Sequence, residues 1–358
     1  MKYTPERALE VDPENMAGGI FDFIDDLNHA MEIPIDIDPK FNKIIICGMG
    51  GSAISGDMLA DCMYSESDYP TTVQRFPELP KWVNEDTLII IASYSGNTRE
   101  TLALYDQVLE KELKMTIITA GGTLQERAEN DGFQILKMKS GLQPRCATGY
   151  SLGLMFSLMD KVAGTSFKDQ IQKLTPKLKK FRDELSSNQS LAWEIARRIS
   201  GRTPVAYSTS EIASSAVRWK TQINENSKMM AFFGLVPEFN HNDVSGWSEG
   251  AVRESCIPIF LYEEKMPKIK KKAINAAIDT IKSYDVEPMI VKIRGRSTLE
   301  KILRSTMIGD YVSLYLAFLK GIDPSEVASI SELKKRLADL LPYGKIRTRK
   351  RDSSKKSK

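Results

Sequence analysis

The chain has 358 residues, 42% of them hydrophobic and 27% charged, with a formal net charge of +3. That length suits two domains of ordinary size. With no run of eighteen apolar residues and no charged-then-apolar leader, the sequence argues against membrane insertion and export. Four widely spaced cysteines (Cys47, Cys62, Cys146, Cys256) without a CxxC read as buried thiols in a reducing cytoplasm. Two separated histidines cannot build a histidine-rich metal centre.

The charge is uneven. Residues 345–358 carry eight basic side chains and one acidic one, which leaves the remainder of the chain mildly acidic. A tail that binds nucleic acid or an acidic membrane is one reading. A solvated, disordered end fits better, because the segment is serine-rich and has no aromatic residue with which to build a core.

In chain order, residues 16–31 pattern as one amphipathic helix, with His29 in a polar stretch expected at the surface. Residues 43–47 then form a strand apolar on both faces and run into Gly48-Met49-Gly50-Gly51-Ser52-Ala53. Such a turn lets a ligand approach the backbone closely, with Ser52 opening a helix over 52–63. Gly48-x-Gly50-x-x-Ala53 also fits a dinucleotide fingerprint. That fingerprint asks for an acidic residue ending the next strand, and 71–76 offers Gln74 and Arg75 instead. No GK[ST] triplet follows, so a Walker loop is excluded.

The third strand, 87–93, leads into Ser93-Tyr94-Ser95-Gly96-Asn97-Thr98 and a helix over 98–112. Three hydroxyls crowded at a strand-to-helix junction suit a phosphate group, since the helix's first amides add donors and a favourable dipole. Strands at 115–119 and 133–138 enclose a helix at 122–130, and a long apolar helix follows at about 146–163. From Phe167 to Arg202 charged helices form a connector, Lys-rich at 173–180 and again helical at 191–199.

The alternation then restarts. A strand over 204–207 ends in Ser208-Thr209-Ser210-Glu211, and strands at 229–235, 256–262 and 288–293 follow. Helices fit at about 211–225, 267–284 and 297–320, with a last one from Ser325 to Leu340. Alternating strands and helices imply an α/β fold of two similar units, each a parallel sheet flanked by helices. The expected segments are 1–40 (an N-terminal helical segment), 41–165 (the first unit), 166–202 (the connector), 203–340 (the second unit) and 341–358 (the tail).

Acid–base residues concentrate in the second half, in Asn224-Glu225-Asn226-Ser227-Lys228 and Pro237-Glu238-Phe239-Asn240-His241-Asn242-Asp243. Glu225 closes a helix, where a carboxylate is poorly placed against the dipole. It reads either as a solvated end residue or as a general base. His241, between two asparagines, reads as a structural histidine or as an acid–base group.

With these motifs the chain resembles the bifunctional phosphoglucose/phosphomannose isomerases of the sugar-isomerase (SIS) superfamily. Gly48–Ser52 and Ser93–Thr101 carry the general SIS resemblance. Pro144-Arg145, Asn224–Lys228, Pro237–Asn242 and Ile330-Ser331-Glu332-Leu333-Lys334 narrow it. In family order these motifs run from residue 43 to about 340.

The resemblance implies that Gly50, Gly51, Ser52, Ser93, Ser95 and Thr98 hold a sugar 6-phosphate. It implies that Glu225 shuttles a proton between C2 and C1 through a cis-enediol, and that Arg145, otherwise an ordinary surface arginine, stabilises the enediolate. His241 and Lys334 would open the sugar ring, with His241 supplied across a homodimer interface. By composition alone Lys334, in a Lys-Lys-Arg run, is solvated surface. No cofactor, metal, nucleic acid or membrane partner is implied. Val327 lies two turns before Lys334 and is a candidate for the space around C2.

Two rivals share the phosphate motif. A sugar-phosphate sensor would need neither Glu225 nor His241 and would carry a DNA-reading domain, yet no helix-turn-helix pattern precedes residue 40. An enzyme acting on amino-sugar phosphates would keep the same architecture.

Overall fold

The computed structural model describes residues 10–37, 40–187 and 189–340. The basic tail beyond residue 340 lies outside them. Two short helices, α1 (Met16–Phe21) and α2 (Phe23–Met31), precede the first sheet. One continuous helix over 16–31 is thus corrected to two, because the chain turns at Asp22, which closes α1 and opens α2.

The first sheet is parallel throughout and ordered β2-β1-β3-β4-β5. Its strands are β1 (Lys43–Gly48), β2 (Thr71–Gln74), β3 (Thr87–Ser93), β4 (Thr116–Thr119) and β5 (Gln134–Lys137). Every residue of β3 is buried, which explains its unbroken apolar run: helices cover both faces of a parallel sheet. The crossovers are α3 (Gly50–Glu66), α4 (Arg99–Glu110) and α5 (Gly122–Asp131). Helix α6 (Thr148–Val162) follows, and α7 (Phe167–Leu185) and α8 (Leu191–Ile199) make the link to the second half.

The second sheet is also parallel, ordered β7-β6-β8-β9. It comprises β6 (Thr203–Thr209), β7 (Phe232–Val236), β8 (Cys256–Glu263) and β9 (Met289–Ile293). Around it lie α9 (Ala213–Ser227), the short α10 (Asp243–Gly246) and α11 (Gly250–Ser255), α12 (Lys268–Ser283) and α13 (Thr298–Lys320). Helix α14 (Ala328–Leu340) ends the described chain.

One apolar cluster joins the two halves, running from Ile44 and Ile90 through α6 and α9 to Ile259 and Val291. Among the described residues α13 is the one helix long and apolar enough to cross a membrane, and 83% of that stretch is buried inside the fold. This shared cluster therefore fixes how the two sheets face each other, and with them the turns at their carboxyl ends.

That interior holds a well-paired charge between its two central helices. Arg218 of α9 meets Asp310 of α13 in a two-pronged pair at 3.0 and 2.8 Å, with both side chains almost wholly buried. The same guanidinium donates to Thr148 Oγ1 and to the backbone carbonyl of Arg145. Removing one partner alone would leave a buried charge, at a cost of about 3–5 kcal/mol.

Candidate active site

At the carboxyl edge of the first sheet, the turn after β1 enters α3 without a side-chain cap. Gly50 takes φ +51°, and a Cβ on Gly51 would stand 2.9 Å from the Pro144 carbonyl oxygen. Glycine is thus required where this turn abuts the Pro144-Arg145 segment. Ser52, in the first turn of α3, is buried.

The second turn is braced by its neighbours. Ser93 Oγ lies 3.0 Å from Thr98 Oγ1, and the Asn97 amide donates to Ser95 Oγ at 3.3 Å. Gly96 takes φ +66°, and a Cβ there would collide with the Gly121 carbonyl. Asn97 Oδ1 and the Gly96 carbonyl accept from the amides of Thr123 and Leu124. No side chain caps α4, and Ser95 is exposed. An anion arriving here would meet opening helix amides that no side chain has already taken.

Arg145 is 4% exposed, so its reading as a surface arginine is corrected. Its Nε donates to Asn226 Oδ1 at 2.6 Å, and Nη2 to the carbonyls of Pro324 and Ser325. Nη1 stands 3.8 Å from Glu225 Oε2. Burial pulls the Arg145 pKa down from its usual value, and the Glu225 charge partly opposes that shift. Asn226 is fully buried and held by its own bond to Ser313 Oγ, so its oxygen is fixed toward the guanidinium.

Glu225 occupies the last turn of α9, with its side chain 30% exposed. Lys228 ends the helix in a left-handed conformation, φ +49°, and its Nζ donates to the Asp323 carbonyl. Burial lowers the Lys228 pKa, and the neighbouring Arg145 charge adds to the effect. Lys320 Nζ donates to the Ser227 carbonyl at 2.8 Å. These bonds lash the segment before α14 to the end of α9. At the other end of α14, Arg99 Nη1 donates to the Leu337 carbonyl at 2.9 Å, beside the Ser93–Thr98 turn.

The fold thus gathers Gly51, Arg145, Glu225 and Asn226. It does not join His241 or Lys334 to them within one chain. His241 is exposed at the end of a short 3-10 turn, Glu238–His241. Lys334 is exposed on α14, and neither side chain bonds to Glu225 or Arg145. Val327 is half-buried, and its carbonyl accepts from Ile330 and Ser331 as α14 begins. Sequence reasoning missed the supports: Asn226, Arg99, the Arg218–Asp310 pair, and Tyr94, whose hydroxyl accepts from the Leu142 amide. The Asn-Glu-Asn context was the one signal available for Asn226. Among the described residues no three His, Cys, Asp or Glu side chains cluster as metal ligands.

Family models match both halves of the chain. Residues 40–151 match the SIS domain family, and 188–337 match the bacterial phospho-glucose isomerase C-terminal SIS domain. A solved hypothetical protein from Thermus thermophilus shares the fold, with a TM-score of 0.73 over 92% of this chain and 91% of that one at 14% identity. The D-glucosamine-6-phosphate 4-epimerase of Sulfolobus acidocaldarius is 30% identical, across 84% of this chain and 91% of that one. The bifunctional phosphoglucose/phosphomannose isomerase of Aquifex aeolicus is 37% identical over 307 residues, 86% of this chain and 93% of that one. Likeness of that degree over nearly the whole of both chains means that this protein belongs to the family of bifunctional phosphoglucose/phosphomannose isomerases.

Proposed function

We propose that the protein interconverts glucose 6-phosphate and fructose 6-phosphate, and mannose 6-phosphate and fructose 6-phosphate, by proton transfer through a cis-enediol. The observation that carries this reading is the Glu225 carboxylate 3.8 Å from a buried Arg145 guanidinium. That pair adjoins the glycine turn at Gly51.

The sugar 6-phosphate is held by the hydroxyls of Ser52, Ser93, Ser95 and Thr98 and by the opening amides of α3 and α4. In the aldose-to-ketose direction Glu225 removes the proton from C2 and returns it to C1, while a proton passes from O2 to O1. Arg145 holds a fixed positive charge against the negative charge that develops on those oxygens, and a preorganised cation of this kind favours the transition state. His241 and Lys334 move protons at the ring oxygen and O1 during ring opening. His241 comes from the partner subunit of a homodimer, which accords with its exposure and its lack of bonds to Glu225. The chemistry uses no metal ion.

A coupled assay on purified protein with glucose, mannose and glucosamine 6-phosphates, with and without EDTA, tests the reading. Turnover of the first two in EDTA is expected. Turnover of neither would end the isomerase assignment, and epimerisation of glucosamine 6-phosphate instead would move the chain toward its Sulfolobus relative. Loss in EDTA with recovery on zinc would end the metal-free mechanism.

A further inference from the structure

Both sheets follow one topology: the second strand lies on one side of the first and the third on the other, β2-β1-β3 and β7-β6-β8. In open parallel sheets a ligand crevice forms at such a point, beyond the carboxyl ends of the strands. The chain therefore has two. The first is bordered by the turns after β1 and β3. The second lies between the ends of β6 and β8, and it already contains an anion.

That anion is Glu263, the last residue of β8, which is fully buried. One carboxylate oxygen accepts from the hydroxyl of Thr209, the last residue of β6. The other lies 2.5 Å from Lys301 Nζ, in the first turn of α13. Lys301 is itself 6% exposed. Beside Thr209, Ser208 is fully buried with a hydroxyl that has no partner. A hydroxyl and an ammonium converging on one carboxylate at a switch point are the donors of an oxyanion site.

An ion pair in the interior contributes little beyond what a well-packed apolar filling would. Stability alone therefore does not explain a carboxylate at this position. We propose that the second crevice is an anion site kept filled by the chain's own Glu263, which confines the chain to one sugar-phosphate site, and that removing the carboxylate opens it to a small oxyanion. The contrast with the first crevice rests on the phosphate reading above; the donor set around Glu263 does not.

Sodium formate is the probe, because it replaces the deleted carboxylate without its tether. Glu263→Ala leaves Lys301 buried without a counterion, so melting in sodium chloride should fall by about 5–10 °C. Formate at matched ionic strength should restore at least half of that loss. The wild type and the double variant Glu263→Ala with Lys301→Met should melt alike in the two salts. Should the alanine variant not fold in chloride, its soluble yield after refolding in formate against chloride gives the same comparison. Equal melting, or equal yields, in the two salts overturns the proposal. So does an equal gain from formate in the double variant. Because the first crevice is identical in all of these proteins, failure of the phosphate reading would leave these differences untouched.

Discussion

Replacing Arg145 with lysine preserves a positive charge and removes the geometry that the site depends on. The native guanidinium serves Asn226 Oδ1 at 2.6 Å, the carbonyls of Pro324 and Ser325, and the Glu225 carboxylate at 3.8 Å. One ammonium on a flexible stem cannot face these groups together. If it stays with Glu225, three buried acceptors lose their donor. Asn226 cannot turn aside, because its amide is tied to Ser313 Oγ at 2.9 Å. A stranded buried acceptor costs about 1–3 kcal/mol, and with water reaching some of them from the Glu225 side the expected loss is about 3 kcal/mol. Loss of an aimed cation should also lower kcat by about 10²–10³-fold, the range seen when a single preorganised donor is deleted. KM for the sugar phosphate should move far less, since the proposed phosphate donors belong to the turns after β1 and β3. Urea unfolding and steady-state kinetics on the same preparation read both effects. A variant within about 1 kcal/mol of the wild type, with kcat within a few-fold, would refute both parts of this reasoning.

Four further outcomes are expected. Glu225→Gln should cut turnover by about two to four orders of magnitude while leaving substrate affinity intact; persistent exchange of the substrate C2 proton with solvent would mean that another group is the base. Ser95→Ala and Thr98→Ala should each weaken binding of a competitive sugar-phosphate inhibitor by about 1.5–3 kcal/mol, and unchanged inhibition would relocate the phosphate. Mixing Glu225→Gln and His241→Ala chains should restore one intact site per heterodimer; scattering that finds a monomer under assay conditions, or verified heterodimers that stay inactive, would place the histidine within its own chain. Burial raises Asp61 from 3.8 to about 7, against the pull of its bond from the Ser214 amide. Its neutral form is favoured by folding, so its contribution to stability is full below about pH 4 and is lost as pH rises through about 7. Asp61→Asn keeps an acceptor for Ser214 and should remove that downward slope, read as urea midpoints at pH 5 and pH 8; parallel slopes would count against it.

The strands were legible because burial writes them locally. Residues 44–48 and 88–92 are apolar without alternation, as a sheet covered on both faces requires. The Ser93–Thr98 turn was legible for the same reason, since its hydroxyls, glycine and helix start are contiguous. The setting of Arg145 was not. Its partners lie 81, 179 and 180 residues away, and no local pattern separates a buried, fully bonded arginine from a solvated one. The strand expected at 229–235 forms over Phe232–Val236, because Lys228 takes a left-handed turn and the chain needs several residues to realign. Between Pro237 and Ser255 the turns and short helices α10 and α11 have too few residues to show a period. Pro176 inside α7 ran against propensity, and the helix continues past it along its buried face of Ile171, Leu178 and Leu185.

The bonds from Arg145 to Pro324 and Ser325 have a consequence for how the protein is made. Domains tend to fold in order as the chain leaves the ribosome, the amino-terminal one first. The first sheet and the two turns after β1 and β3 are complete in sequence well before Pro324 is translated. A nascent chain at that stage has these turns but not the contacts that close around Arg145. Because those contacts come from 179 and 180 residues further along, the setting of Arg145 stays incomplete until translation has passed Ser325, and a chain cut short before that point leaves the guanidinium without these two acceptors.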